Sequence, residues 1–457
     1  MAAPPMPEPP APRQSPAAGG ARLAWLDALR GIAALAVVFD HLGVDVLQHA
    51  RHAVYQWVDT GQYGVFVFFL VSGYIVPASL ERKGSVRSFW VSRAFRLYPL
   101  YVLGLVAAVA LTIAGLGSLR GSAQHPGTAV LSHALMLSNV LGSTNAINVI
   151  WTLSYEMAFY LLLTALFVTR MHRRSITFAL IFAIAAVVAG GVLPMTALSD
   201  SFLGPRLVAA GGDLLILAGL ALAVARRWVP KVAGAVLAAA TVMILVAFNG
   251  SWLNPWEALT ILALMFTGTV LYRAERGELS RWLAAAAAVA VFALGIVAGL
   301  WHSHAWHMSA HGQLIWDRQW VLSLTAAALT FAAGMAVRHR RIPRVLAWLG
   351  LVSYSVYLLH PLLLGVYRHI PATKGPHPLL VQAALAAGFA AALLVVCGVT
   401  YRAVEAPMQA QGRRLAAWLD QRFGPDQLPG RARPAPALAQ PQPQPPIPAG
   451  RQRPPAG

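Results

Sequence analysis

Arg30 and His41 stand eleven positions apart in an apolar stretch, Leu26-Asp27-Ala28-Leu29-Arg30 followed by Gly31 to Asp40 and then His41. On a helix, eleven steps of about 100° return to within about 20° of the same bearing and climb about 16 Å. A guanidinium near one end of such a helix therefore shares a stripe with an imidazole well inside it, and Asp27 lies on that stripe one turn before Arg30. A histidine inside a lipid-spanning segment is costly and marks function. The structural alternative is a helix-end arginine with a histidine bonded to a neighbouring helix.

Other side chains invite chemistry at related places. Glu156, in Trp151-Thr152-Leu153-Ser154-Tyr155-Glu156, falls one and a half turns into its segment, and the reading places it at the depth of His41 as an orienting carboxylate. Arg93 and Arg96 lie at i and i+3 and present forked donors suited to phosphate, on a stretch that reads as a basic loop. Ser353, Tyr357 and His360, spaced 4 and 3, share one polar face, with Pro361 just beyond. Gly64, Ser72 and Gly73 permit close helix approach, Tyr74 offers a hydroxyl, and Asp213 after Gly211-Gly212 is a buried acid. His302, His304, His307 and His311 are dense, but no Cys or acidic ligand accompanies them. Trp and His commonly sit at membrane interfaces, so no metal site is expected.

The elements that must position these groups are helices in a membrane. Of the 457 residues, 58% are hydrophobic and 11% charged, against about 25% charged in soluble chains. Long apolar runs recur throughout, which predicts an all-α polytopic transmembrane bundle of about 10–12 spans. They start near Leu26, Gln62, Leu97, Ile150, Ile176, Arg206, Val232, Trp256, Trp282, Trp320, Leu346 and Leu379. The net charge of +19 falls in every second loop, at 82–96, 170–174, 226–231, 273–281 and 338–344. Topology thus explains the charge better than nucleic acid does, and the positive-inside rule puts both termini and these loops in the cytoplasm. Residues 1–21 read as a disordered Ala/Pro-rich tail, 22–409 as the membrane domain and 410–457 as a basic, Pro-rich cytoplasmic tail. The single cysteine, Cys397, allows no intramolecular disulfide.

Taken together, these stretches resemble the acyltransferase-3 family of bacterial integral-membrane O-acyltransferases. The matching pieces are Arg30-x10-His41, Gly64 to Tyr74, Arg93-x2-Arg96 with Tyr98-Pro99, Trp151 to Glu156, Ser353 to Pro361, and Glu405-x-Pro407, in family order. Asp40 before His41, and Ala28, depart from the family pattern. The resemblance implies a multi-pass enzyme of the bacterial inner membrane that moves an acyl group, usually acetyl, from acyl-coenzyme A to a hydroxyl of a glycan or related acceptor. The coenzyme would be a co-substrate, with no permanently bound cofactor. Carried over, Arg30 and His41 are the essential pair, Arg93 and Arg96 (with Arg30) hold the donor, and Glu156 and His360 line the site. Ser72, Tyr74, Ser353, Tyr357 and Asp213 join the substrate-binding candidates. A hydroxyl is a poor nucleophile near neutral pH, so His41 would act as general base, with Tyr74, Tyr357 or Ser353 as oxyanion donors. The competing class is a transporter or flippase with an intramembrane His/Glu/Asp proton relay. The acceptor's identity and the oligomeric state are not legible.

Overall fold

The computed structural model describes residues 24–119, 126–201, 203–225, 227–373, 377–424 and Asp426. Both tails assigned above lie largely outside these residues. The described residues are helical, without strands. We label the helices α1 (Ala24–Asp45), α2 (Gln48–Tyr55), α3 (Thr60–Lys83), α4 (Val86–Ile113), α5 (Pro126–Ala134), α6 (Trp151–Val168), α7 (Ser175–Val188), α8 (Gly204–Ala223), α9 (Trp228–Phe248), α10 (Pro255–Glu275), α11 (Arg281–Ser303), α12 (Ala310–Ala336), α13 (Arg344–Tyr367), α14 (Leu379–Thr400) and α15 (Ala406–Phe423).

Each of the twelve expected apolar runs is a helix, but they are not equivalent spans. Ten described helices are long and apolar enough to cross a membrane, and an eleventh arises if α1 and α2, bent by 117°, count as one. The remaining one, α7, has 14 residues and about 21 Å of rise, short of a hydrocarbon core of about 30 Å. The chain is a polytopic membrane protein.

Three features differ from expectation for identifiable reasons. Helix α4 begins at Val86, where Ser85 accepts from the Ser88 amide, so Arg93 and Arg96 lie inside a helix and not in a loop. The second is the depth of α6, which begins at Trp151 as expected but whose first turn is submerged because residues 135–150 fold back into the bundle ahead of it. Leu137, Asn139, Val140 and Leu141 in that segment are fully buried. Irregular backbone at such depth must be satisfied by protein. Here Asn139 N donates to Ser154 Oγ, Ser154 Oγ to Met136 O, and Asn249 Nδ2 to Val140 O. The third is at the C-terminal side. A π-helical turn at Tyr401–Glu405 leads into α15, which packs on α4 through Arg87–Asp420 and Gly412 against Phe95. The boundary placed at 409 therefore falls within an ordered helix.

The basic loops gather at one end. Glu81 pairs with Arg273, Glu275 with Arg338, Asp420 with Arg87 and Asp426 with Lys231. The opposite end carries Asp40–Arg51 and Asp45–Arg368. Nearly all of α6 and α10 is buried, and they form the centre.

Helix α1 packs between α13 and α3, and small residues set both contacts. A Cβ on Gly350 would lie 2.0 Å from Asp27 O, and one on Gly64 would lie 2.5 Å from Ala33 O. The helices touch at the backbone there, as membrane packing by small residues allows. Gly350→Ala should therefore force α13 off α1 and cost about 1–3 kcal/mol, a loss typical of overpacking. Gly211→Ala, whose Cβ would meet nothing within 4 Å, should leave stability unchanged or slightly raised. Thermal unfolding of the detergent-solubilised variants would check this; equal melting of all three proteins would contradict it.

Candidate active site

Two chambers meet around the polar residues of α1. The first, of about 720 Å³, is lined by Arg30, Arg93, Arg96, Glu156, Ser72, Ser353 and Tyr357 together with apolar residues of α3 and α4. Arg93 is 6% exposed, its guanidinium lies over the rings of Phe89 and Tyr160, and its Nε has no hydrogen-bond partner among the described residues. Arg30 and Arg96 make no hydrogen bond or ion pair with any described residue, while the charges of Asp27, then Glu156 and Glu405, act on Arg30. Three guanidinium groups thus face one space that holds a single lining carboxylate. That is a cradle for an anion with several oxygens.

The second chamber, of about 1270 Å³, is lined by His41, Asp40, Asp59, Glu257, Gln62, Asn148, Asn254 and the tryptophans 151, 252, 306 and 320. Val65 and Tyr357 belong to both chambers and form the wall between them. His41 and Asn148 also border a third space of about 1010 Å³, between the end of α4 and the end of α13. His41 is held tightly: its Nδ1 is 3.0 Å from Val37 O and 3.3 Å from His360 Nε2, and its Nε2 is 3.4 Å from Asn148 Nδ2.

Several residues singled out by sequence come together here, and several do not. Arg30, Arg93, Arg96, Ser72, Ser353 and Tyr357 share the first chamber. Glu156 sits there as well, accepting from Ser72 and Tyr160. It makes no contact with His41, contrary to the depth argument, because the buried segment 135–150 pushes the start of α6 inward. His360 lines none of the three chambers, as it lies behind the His41 ring at 1% exposure. Tyr74 points away from both sites and packs edge-on against Trp25 and Tyr272. Asp213, on α8, also lies outside the chambers, and neither carboxylate oxygen has a hydrogen-bond partner among the described residues. The suggested oxyanion donors are otherwise engaged: Ser353 donates to Gly350 O, and Tyr357 to Val149 O. The amide of Asn148 is the donor facing His41 Nε2, and nothing in its sequence context marked it. Trp252, Asn254 and Trp306 were likewise invisible, being brought in by loops. Glu405, part of the Glu405-x-Pro407 piece of the resemblance but not among the site candidates, is buried and accepts from Ser355. No group of three or more metal-ligating side chains occurs among the described residues.

The family described as an acyltransferase domain matches residues 23–203 and 214–401. The chain belongs to that family. Among curated proteins it is similar to nodulation protein 10 of Rhizobium leguminosarum bv. viciae, 33% identical over 140 residues, or 27% of this chain and 38% of the relative. It is also similar to the acyltransferase MdmB of Streptomyces mycarofaciens, 32% identical over 148 residues, 31% of this chain and 38% of the relative. A third relative is the peptidoglycan O-acetyltransferase OatA of Listeria monocytogenes, 28% identical over 152 residues, 30% of this chain and 23% of the relative. The chain thus spans less than two-fifths of each relative's length. No solved structure matches it significantly.

The mouth of the second chamber carries a titration that can be followed. Asp59 caps α3, accepting from the Gln62 amide. Burial and then the facing charge of Asp40 push its carboxyl up to about 6, against the pull of the Gln62 and Gly61 amides and Arg51. The native state therefore holds this proton more tightly than the unfolded chain does. Stability should fall as pH rises from about 4 to about 6 and level off above that. Asp59→Asn keeps the cap but has no charge to bury. It should flatten this slope and melt higher than wild type above pH 6, by on the order of 1–3 kcal/mol. Parallel melting curves for both proteins across the range would refute the assignment.

Proposed function

We propose that this protein is a membrane O-acyltransferase. It moves an acyl group, in the first instance acetyl, from acyl-coenzyme A to a hydroxyl of a glycan or related acceptor, and it works in the bacterial inner membrane with the basic loops in the cytoplasm. Family membership supports the acyl transfer. The observation that carries the assignment of parts is the pair of chambers sharing one wall, with three arginines in one and His41 facing the other.

On this reading the donor's phosphates lie with Arg30, Arg93 and Arg96, where fork-shaped donors match phosphate oxygens. The thioester arm extends along the α1 stripe past Val65 and Tyr357 toward His41, over the roughly 16 Å between Arg30 and His41. In the second chamber, tryptophan faces cover the C–H faces of a sugar ring, and Asp40, Asp59 and Gln62 accept its hydroxyl protons. His41 takes the proton of the attacking hydroxyl as its oxygen bonds to the thioester carbonyl carbon. When the C–S bond breaks, the imidazolium returns that proton to the leaving thiolate. General-base action of this kind contributes about 10²–10⁴-fold. Asn148 is placed to donate to the oxyanion. The transporter alternative needs a relay of acids around His41. Glu156 and Asp213 make no contact with it, while Asp40, Asp59 and Glu257 share its chamber, so label transfer from the acyl donor is the observation that separates the two readings.

Membranes containing wild type or His41→Ala, given radiolabelled acetyl-coenzyme A, would be compared for label in envelope glycan. The expected result is incorporation by wild type and a loss of about 10²-fold or more in the variant at equal abundance. Arg93→Ala should raise the KM for the donor about tenfold or more, a charge-assisted contact being worth about 1.5–3 kcal/mol. Undiminished transfer by His41→Ala would end the general-base role.

A further inference from the structure

His360 has no place in the reaction as drawn so far, since it touches no chamber. Yet its ring lies against that of His41, with ring centroids 5.0 Å apart and its Nε2 3.3 Å from His41 Nδ1. We infer that His360 is a positioning residue. It holds His41 in the tautomer with the proton on Nδ1 and the lone pair on Nε2, and it accepts the Nδ1–H of the imidazolium that forms during transfer. This inference rests on the reading of His41 as the base.

The hydrogen bonds admit one assignment of protons for the neutral pair. His360 Nδ1 is 3.0 Å from Val356 O, and a carbonyl oxygen only accepts, so Nδ1 of His360 carries a proton. The neutral ring then has its lone pair on Nε2, which faces His41 Nδ1 at 3.3 Å. The same His41 nitrogen is 3.0 Å from Val37 O. Two acceptors therefore converge on His41 Nδ1, which must carry the proton they share. The lone pair of His41 is left on Nε2, the nitrogen beside the Asn148 amide at the chamber wall. The opposite tautomer at either ring would set a lone pair against a carbonyl oxygen at 3.0 Å inside the bundle, where unsatisfied and repelling polar atoms cost most.

Helix packing explains why the two rings meet. His41 follows Gly31 by ten residues and His360 follows Gly350 by ten, and Gly31 packs on Leu349 and Gly350. Helices α1 and α13 run parallel from this close contact, so equal steps bring both rings to the same height. A carboxylate would serve the same purpose, but Asp40, Asp59 and Glu257 are in the second chamber and Glu156 in the first. A neutral imidazole fixes the tautomer without adding a further buried charge that would need compensation.

The test is made on the full-length protein in bilayers with 15N-labelled histidine, at a pH where the rings are neutral, the His41 signals being assigned by their loss in His41→Ala. Wild type should show His41 with a protonated Nδ1 and a bare Nε2. His360→Leu should add the opposite tautomer and lower kcat about tenfold or more with the donor KM unchanged. His360→Gln, whose amide oxygen reaches the place of the lost Nε2, should restore both the single tautomer and most of kcat. A proton on Nε2 in wild type, or a Leu variant with unchanged tautomer and kcat, would overturn the inference. Because the spectra need no turnover, they stand apart from the test of the general base. If His41→Ala retained transfer, the reaction scheme would fail while the tautomer reading was still measured.

Discussion

The seam between α1 and α13 is the contact on which the rest of the site depends. At Gly350 the two backbones approach so closely that a single methyl group would overlap Asp27 O. Once two stiff helices are pinned at that point, everything along them is placed. Just beyond the contact the seam places Arg30, Ser353 and Tyr354 on the lining of the first chamber, and further along it sets His41 against His360. Helix α3 joins by the same device at Gly64 and supplies Val65, which divides the chambers. No hydrophobic force draws helices together in lipid, so shape at small residues carries this organisation.

A second constraint governs the charges. Ionised groups inside a bilayer face the protein interior or a wet cavity. Arg30, Arg93, Arg96 and Glu156 obey it by facing one another across the first chamber, and Glu405 joins them through Ser355 and its field at Arg30. Among the side chains that line the chamber the excess is positive, three guanidinium groups against Glu156, while Asp27 and Glu405 act on Arg30 from outside the lining. An anionic ligand would find its partners on that lining, which is the physical content of the proposal that the donor binds in this chamber.

What the sequence disclosed and what it hid divide along helices. Residues tied together by helical periodicity were partly legible: Arg93 with Arg96 and Ser353 with Tyr357 face the first chamber, whereas Arg30 and His41, on one stripe of α1, open on different chambers either side of Val65 and Tyr357. The twelve apolar runs were legible too, because hydropathy and span length are local properties. Relations between helices were less so. The depth of Glu156 was misjudged because nothing local announces that residues 135–150 tuck inside the bundle. Tyr74 was misassigned because its span is apolar all round and gives no facing signal. Asn148, Trp252 and Trp306 lie on connecting segments with no period to read. The equal ten-residue spacing from glycine to histidine in α1 and α13 was present in the sequence. It acquires meaning only once the two glycines are known to touch.

The division of the site by Val65 and Tyr357 also bears on how water is kept from the donor. A thioester held in the second chamber would lie beside His41, and the base that activates a hydroxyl also activates water. On the proposed reading the phosphates are held far from that base, because Arg30 sits about 16 Å away along α1 and shares its chamber with Arg93 and Arg96 of α4. Only the narrow end of the donor then needs to pass the wall, and Tyr357 is fixed there by Thr152 and Val149 O. The acceptor would then have to displace water from the tryptophan-lined space before the thioester arrives, a step that apolar ring faces would favour and the carboxylates would orient. On the proposed reading, selectivity for a hydroxyl acceptor over water resides in the second chamber, affinity for the donor in the first, and the readiness of His41 in the residue behind it.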